Sequence, residues 1–320
     1  IMPVYNVEDY IEDCLNSLLS GINNEFEVEI ILIDDGSTDH SLDICKKYSK
    51  RYPCIRLLSQ KNSGQSVARN NAINIAKGSW ITFVDSDDIV ENNYISILFS
   101  IIDNCSSDSD MIFFKYKKFK YTIPQSDAIN FDKYKLKSIS KDTAMYMLTS
   151  INNWGNYLWN KIYRKEILLS NLLPEGRKYE DIDTLYKYVF RSKKIYLYDD
   201  FLYFYRQREG STVHLHNEKI GIDELEARRN QLAFFKSYNY LKAYERARHY
   251  FIASCVRLIS YNPMSKLYYT SLKYINGYSP SLKKDGFKLW IKVKLINYNP
   301  IIWLTLKKTK DRIMSILKYK

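Results

Sequence analysis

The tightest constraint on the fold is a run of short apolar segments that alternate with helix-period segments in the first 105 residues. Val28-Glu29-Ile30-Ile31-Leu32-Ile33 and Trp80-Ile81-Thr82-Phe83-Val84 are almost continuously apolar. A strand of that kind must be covered on both faces, which a parallel sheet flanked by helices achieves. Residues 1–5 read as the end of a further buried strand, expected to begin before Ile1. Ile11, Leu15, Leu18 and Leu19 form one helix face that Gly21 ends, with Asn6 as its expected cap and Glu8 and Asp9 in its first turn. A helix near 40–50, a short strand at Ile55–Leu58 and a helix from Ser66 to Lys77 follow. This order predicts a doubly wound, mostly parallel α/β sheet.

Beyond it, the pattern predicts a helix near 92–103, a strand at Met111–Phe114 and a Lys-rich hairpin or loop over 117–138. Helices are expected near 141–151, 156–170 and 179–191, then two paired strands, Ile195–Tyr198 and Phe201–Tyr205, joined by Asp199-Asp200. From 217 onward the pattern is helical only, divided by Pro263, Pro280 and Pro300. The expected division is an α/β domain over 1–215, in two halves that meet at 110–111, and a helical region over 216–320.

Charge supports that division. Residues 221–320 hold 20 Lys and Arg against 6 Asp and Glu, a net +14, whereas residues 1–220 are net −2. A net-acidic main domain argues against nucleic acid as its partner, and the basic tail argues for an anionic one. Five scattered cysteines without a C-x-x-C pair exclude a disulfide scaffold or zinc knuckle and fit reduced thiols in a cytosol. No membrane span or secretory leader is expected.

In doubly wound sheets, ligands bind beyond the carboxyl ends of the strands. Asp85-Ser86-Asp87-Asp88 sits at such an end. Two carboxylates two residues apart can face one crevice and hold Mg²⁺ or Mn²⁺ with a substrate diphosphate, although a lone D-x-D is more often a solvated turn. Asp34-Asp35-Gly36-Ser37 ends the strand before, where a carboxylate can accept a nucleobase N–H. Gln60-Lys61-Asn62-Ser63-Gly64 with Ala68-Arg69-Asn70 adds a pliable backbone and a cation.

These segments together resemble the successive signatures of the family 2 glycosyltransferases, inverting enzymes of the GT-A fold. The resemblance rests on Ile1–Asn6, Ile33–Asp39, Asn62-Ser63-Gly64 with Ala68-Arg69-Asn70, and Phe83–Asp88. It continues through Trp159-Asn160-Lys161-Ile162-Tyr163, Glu175-Gly176, Tyr179-Glu180-Asp181 and Tyr205–Ser211, covering about residues 1–215. It is strongest to bacterial enzymes that build capsules, exopolysaccharides, lipopolysaccharides or teichoic-acid decorations.

The resemblance implies a nucleotide-sugar donor, a UDP-sugar, and a glycan hydroxyl as acceptor, joined with inversion to a β-linkage; a lipid-linked acceptor is expected if the tail lies on the membrane. It places Pro3, Val4 and Tyr5 beside the base, with Asp35 or Asp34 accepting its N–H. Asn62, Gly64 and Arg69 line the nucleotide pocket, Asp85 lies near ribose and metal, and Asp87 binds the metal. Asp181, paired with Glu180, is the general base. Arg206, Arg208, Ser211 and His214 belong to a late loop over the diphosphate, His214 as a further metal ligand. Trp159, Asn160 and Lys161 would orient sugar or acceptor, and Trp154, Tyr157 and Tyr179 offer stacking faces, although each ring taken singly is expected in the core.

In the tail, Phe287–Ile296 mixes Trp290 with Lys288, Lys292 and Lys294, and Ile301–Leu306 precedes Lys307, Lys308, Lys310 and Arg312. Trp beside Lys on amphipathic segments suits an anionic lipid surface, predicting a peripheral enzyme at the inner face of the cell membrane. Packing on the catalytic domain or a homo-oligomer contact would use the same residues. A sugar-nucleotide nucleotidyltransferase is disfavoured, since it needs a Gly-rich loop where Pro3-Val4-Tyr5-Asn6 stands. A non-catalytic glycan- or nucleotide-binding relative is disfavoured by the presence of Asp85, Asp87 and Asp181.

Overall fold

A computed structural model describes residues 1–22, 27–122, 130–150, 154–208, 217–260, 263–276 and 281–318. The chain forms two compact units, Ile1–His214 and Leu215–Lys320.

The first unit opens with β1 (Met2–Val4), α1 (Ile11–Leu19), β2 (Ile30–Asp34), α2 (Ser41–Arg51), β3 (Ile55–Ser59), α3 (Gln65–Ile75) and β4 (Trp80–Thr82). The parallel ladder β1–β2–β3 pairs Val4 with Asp34 and Asp34 with Ser59. Every residue of β2 is buried, as its unbroken apolar run requires. Ile1 exchanges backbone bonds with Thr82 and Val84, setting β4 beside β1.

The sheet then changes character. β5 (Ile89–Val90), α4 (Tyr94–Asn104), β6 (Ser109–Phe119), β7 (Leu136–Ile139), α5 (Lys141–Leu148), β8 (Lys161–Arg164), α6 (Lys165–Leu169), α7 (Glu180–Arg191) and β9 (Lys194–Arg206) complete the unit. A six-stranded sheet runs β4–β8–β6–β9–β5, with β7 also on β9. All pairs are antiparallel except β6–β9.

Three sequence expectations are corrected here. The helix expected over 156–170 is a strand followed by a short helix, because Lys161–Arg164 is needed between β4 and β6. The two strands expected over 195–205 are one. Asp199 and Asp200 form a bulge opposite Phe114 and Lys115, where Asp200 accepts from its neighbour Phe201 N and ion pairs from Lys115 and Lys135 offset both charges. Asn6 does not cap α1, whose N-cap is Tyr10. It stands at φ 50°, a left-handed geometry Asn tolerates, and its side chain accepts from Thr38 N at 2.8 Å. Glu8 accepts from His40 N and its own N–H donates to Asp39, so the loops after β1 and β2 are laced together.

The second unit consists of α8 (Glu218–Ser237), α9 (Leu241–Leu258), α10 (Lys266–Asn276), α11 (Leu282–Tyr298) and α12 (Pro300–Lys318) among the described residues. Leu225, Phe251, Cys255, Ile259, Leu267, Ile275, Val293 and Ile296 form its core. Gly221 lets α8 meet Leu267, for a Cβ there would lie 2.5 Å from its side chain. Glu224 is buried and held by Arg228, Arg257 and Ser254. Ile301, Ile302 and Leu306 of α12 are exposed, and no described helix is long and apolar enough to cross a membrane.

Candidate active site

The site is assembled around one buried cation. Arg69 lies one turn after Gln65 on α3, so both side chains leave the same face. Arg69 donates through one terminal nitrogen to Glu180 Oε1 at 2.8 Å and through the other to Asp85 Oδ1 at 2.6 Å. Gln65 Nε2 reaches the same Glu180 oxygen at 2.6 Å. Segments far apart in sequence thus converge on one guanidinium. Tyr179, at φ 61°, turns the chain into α7 and sets Glu180 and Asp181 in its first turn. Asn70 fixes the approach to that turn, trading hydrogen bonds with Leu173 N and O at 3.0 and 2.9 Å.

Asp181 accepts from Ile182 N at 2.7 Å. Burial, then the charge of Glu180, pushes its carboxyl up to about 7, against the opposing pull of Arg69 and Lys161. Asp85 is also raised by burial, with Arg69 opposing. Burial first, and then more acids than one arginine can neutralise, thus raise the carboxyls of this cluster.

The loop after β4 is anchored at each acid. Asp88 is fully buried, accepting from Tyr203 OH and from Arg206 N, both at 2.7 Å. Burial and the charges of Asp87 and Asp85 hold its carboxyl well above the usual range. Arg206 Nε donates to Asp87 O at 2.8 Å, and Arg208 Nε donates to Asp87 Oδ2 at 2.6 Å. The Tyr10 ring lies 5.1 Å from both guanidinium carbons. Asp85 and Asp87 each give one oxygen to an arginine; among the described residues no partner meets Asp85 Oδ2 or Asp87 Oδ1. Two hard carboxylate oxygens at a half-exposed edge fit Mg²⁺ or Mn²⁺, which takes one or two protein carboxylates and completes its shell with phosphate and water. Among the described residues no group of three or more His, Cys, Asp or Glu is arranged to hold a metal alone.

The other acidic corner differs. Asp34 accepts from Gly36 N, Ser37 N and Ser59 Oγ, and is buried. Asp35 accepts from Gln60 Nε2, Ser63 N and Gly64 N, each at 2.8 Å. These acids build the loop between β3 and α3. Gly36, at φ 75°, lets Asn62 N approach to within 2.8 Å of where a Cβ would lie. Asn62 is exposed, and Gly64 stands at φ 91° in open space. Tyr5 presents a 47% exposed ring and Pro3 is half-buried.

Several expected site residues lie in the interior. Val4 is wholly buried, and its carbonyl accepts from Asp35 N. Asp34 is corrected from base contact to turn-holding acid. Asn160 and Lys161 have no exposed surface. Asn160 donates to Phe114 O, and Lys161 Nζ donates to Gly155 O, Tyr157 O and Asn160 Oδ1. Trp159 is buried between the rings of Tyr157 and Tyr203. The three are corrected from substrate contacts to interior residues. Ser211 and His214 lie outside the described residues.

Sequence reasoning missed Gln65, Tyr10, Asp13, Tyr203 and the anchoring of Asp88. The four-residue spacing of Gln65 and Arg69 on a helix could have found the first. Asp13, which pairs with Arg206 at 3.3 Å, and Tyr203, more than a hundred residues from Asp85, carry no local signal.

Carboxylates and arginines gathered at the ends of strands in a sheet that is parallel through β1–β3 and mostly antiparallel beyond are the arrangement of a GT-A glycosyltransferase fold. The profile described as Glycosyl transferase family 2 matches residues 1–170, and the chain belongs to that family. It is 32% identical over 224 residues to glycosyltransferase GlyG of Streptococcus pneumoniae, covering 67% of this chain and 71% of GlyG. Over 92 residues it is 46% identical to a poly(ribitol-phosphate) beta-glucosyltransferase of Bacillus spizizenii, covering 28% of this chain and 14% of that protein. In structure it is similar to S. aureus TarS 1–349 in complex with UDP-GlcNAc, with a TM-score of 0.59 at 22% identity over 93% of this chain and 90% of that one. Other structures of similar fold were solved with a nucleotide or nucleotide sugar and Mn²⁺.

Proposed function

We propose that the chain transfers a hexosyl or N-acetylhexosaminyl group from a UDP-sugar to a hydroxyl of a bacterial surface glycan, with inversion to a β-linkage. The observation that carries this reading is the bridge of Arg69 between Asp85 and Glu180, with Asp181 beside it titrating near 7. Inverting transfer is one displacement: the acceptor hydroxyl attacks the anomeric carbon opposite the departing diphosphate and must lose its proton on that face. A carboxylate with a pKa near 7 is a far better proton acceptor than an ordinary one and is still half ionised at neutral pH. Asp181 takes that proton, and Glu180, tied to Arg69 and Gln65, keeps α7 in place. The diphosphate leaves as an anion, so the protein needs no acid for it.

Asp85 and Asp87 would hold Mg²⁺ or Mn²⁺, which when bound neutralises charge on the leaving diphosphate. Arg206 and Arg208 add positive charge at that edge. Tyr5, with Pro3, offers the stacking surface for the base, and Asp35, through its less occupied Oδ2, stands with Asn62 and Gly64 where the base edge would lie. The family and the named relatives support the donor and acceptor classes. Release of UDP from a panel of UDP-sugars with Mn²⁺ tests the reading. The parent should release UDP from at least one, and Asp181→Asn should bind UDP unchanged but turn over about 10²–10⁴-fold more slowly. An Asn variant as active as the parent would sink the assignment.

The basic helical unit would hold the enzyme at the anionic inner face of the membrane. Ile301, Ile302 and Leu306 are exposed on α12 beside exposed Lys308 and Lys310, which supports this. Co-sedimentation with vesicles containing anionic lipid should fall with added salt and on replacing these three apolar residues by Ser. Sedimentation unchanged by both would remove the idea.

A further inference from the structure

The loop bearing Asp85 and Asp87 is spanned from inside by the hydroxyl of Tyr203. Tyr203, wholly buried on β9, donates to Asp88 Oδ2 at 2.7 Å and accepts from Asp85 N at 3.0 Å. One phenol thus ties both ends of the four-residue loop, using its proton for one bond and a lone pair for the other. Nothing else among the described residues makes both contacts.

That hydroxyl is aimed by a column of rings. The Tyr203 ring lies flat on Trp159, with centroids 4.3 Å apart and planes 12° from parallel. Trp159 lies on Tyr157 at 4.6 Å and 16°, and Tyr116 closes the side edge-on at 4.9 Å and 88°. Rings packed on both faces leave little freedom to slide or tilt.

The column rests on β8. Lys161 Nζ donates to Gly155 O at 2.9 Å and Tyr157 O at 2.6 Å, and Tyr163 OH donates to Leu158 O at 2.9 Å. The carbonyls of Gly155, Tyr157 and Leu158 are therefore pinned to the strand. The three oxygens around Lys161 Nζ are neutral, burial holds the amine well below the usual lysine range, and the oxygens belong to the segment carrying the rings. The Trp159-Asn160-Lys161 segment, expected to touch substrate, instead builds a strut from β8 to the acidic loop.

We infer that Tyr203 is a positioning residue, held by the Tyr157–Trp159 stack, that fixes the Asp85–Asp88 loop in the spacing needed to grip a divalent cation carrying a nucleoside diphosphate. The inference rests on the proposed role of Asp85 and Asp87. Removing the hydroxyl frees Asp85 N and one Asp88 oxygen and lets the loop shift; the carboxylates remain, so added cation can restore the grip.

Calorimetric titration of UDP into the full chain across a Mn²⁺ series tests this, beside melting curves and turnover. Tyr203→Phe keeps the ring and loses only the hydroxyl. Its half-saturating Mn²⁺ for UDP binding should rise about tenfold, while kcat at saturating Mn²⁺ stays within about threefold of the parent. Trp159→Phe keeps both hydrogen bonds but loosens the stack, and should shift the same midpoint about threefold; it decides the matter if Tyr203→Phe does not fold. A lower melting temperature with unchanged midpoints, or a fall in kcat that Mn²⁺ does not restore, overturns the inference. Parent protein whose UDP binding ignores Mn²⁺ would overturn the metal reading itself, a separate result read from the parent alone.

Discussion

The two acidic corners at the strand ends look alike in sequence and differ in what surrounds them. At Asp34-Asp35 the carboxylates accept from backbone N–H groups, a serine hydroxyl and an amide, with no cation in hydrogen-bond contact among the described residues. Around Asp85, Glu180 and Asp181, a single buried guanidinium does most of the balancing. Dipoles aimed at a carboxylate satisfy it where it is and fix the loop that supplies them. A shared cation leaves a surplus of negative charge, and that surplus can take up a proton. In the proposed function the first corner is a joint that shapes the nucleotide site, and the second takes up the proton.

The sharpest break comes from Arg69. Arg69→Met keeps much of the volume and removes the charge, leaving Asp85 and Glu180 buried without their partner. Breaking a buried pair from one side costs about 3–5 kcal/mol. Denaturant unfolding followed by near-UV signal should show that loss, and turnover should vanish. Protonation of the stranded acids offsets part of the cost, so the deficit should shrink as pH falls from 8 to 5. A deficit independent of pH would mean that Arg69 does not serve as the shared counter-charge.

Asp181 gives the next effect, with a definite sign. Its folded pKa of about 7 lies above that of an unfolded aspartate, so the folded state holds the proton longer. Its favourable share of stability is therefore complete below about pH 4 and is lost as pH rises to 7. Asp181→Asn escapes that loss. Relative to the parent it should gain nothing at pH 4 and roughly 2–4 kcal/mol above pH 7. Turnover of the parent should move the other way, rising about tenfold per pH unit below 7 and levelling above it. A flat rate profile between pH 5 and 8 would detach Asp181 from the proton.

This contrast was half legible in the sequence. Strands β1 to β4 and the acids at their ends are local features: an apolar run, a polar break, a helix start. The buried run of β2 and the family signatures pointed to the fold and named Asp85 and Glu180, which the structure joins through Arg69, with Asp87 and Asp181 beside them in sequence. What surrounds each acid was not legible, because its partners come from elsewhere in the chain. Arg69 reaches Glu180 across 111 residues and Tyr203 reaches Asp85 across 118. Lys161 misled for the same reason. A lysine in a signature reads as a contact for an anion, yet this one turns inward to neutral carbonyls, which only the packing of β8 between β4 and β6 decides. Asp199-Asp200 read as a strand break, but lysines on neighbouring segments hold the bulge within a continuous strand.

The smallest effect sharpens the comparison most, because it uses the same substitution with the opposite sign. Asp35→Asn keeps the shape of the side chain, but an amide nitrogen must now replace one carboxylate oxygen. Either orientation sets an N–H against an N–H, of Gly64 on one side or of Gln60 and Ser63 on the other. The expected cost is about 1–3 kcal/mol, the penalty for buried donors left without an acceptor. The loop over 60–64 should loosen, UDP should bind more weakly, and kcat at saturating donor should change little. Asp181→Asn should stabilise the protein and stop it, whereas Asp35→Asn should destabilise it and leave the chemical step running. Melting curves and saturation kinetics of the two variants at pH 8 decide the point: if both move stability in one direction, the two corners are not different in kind.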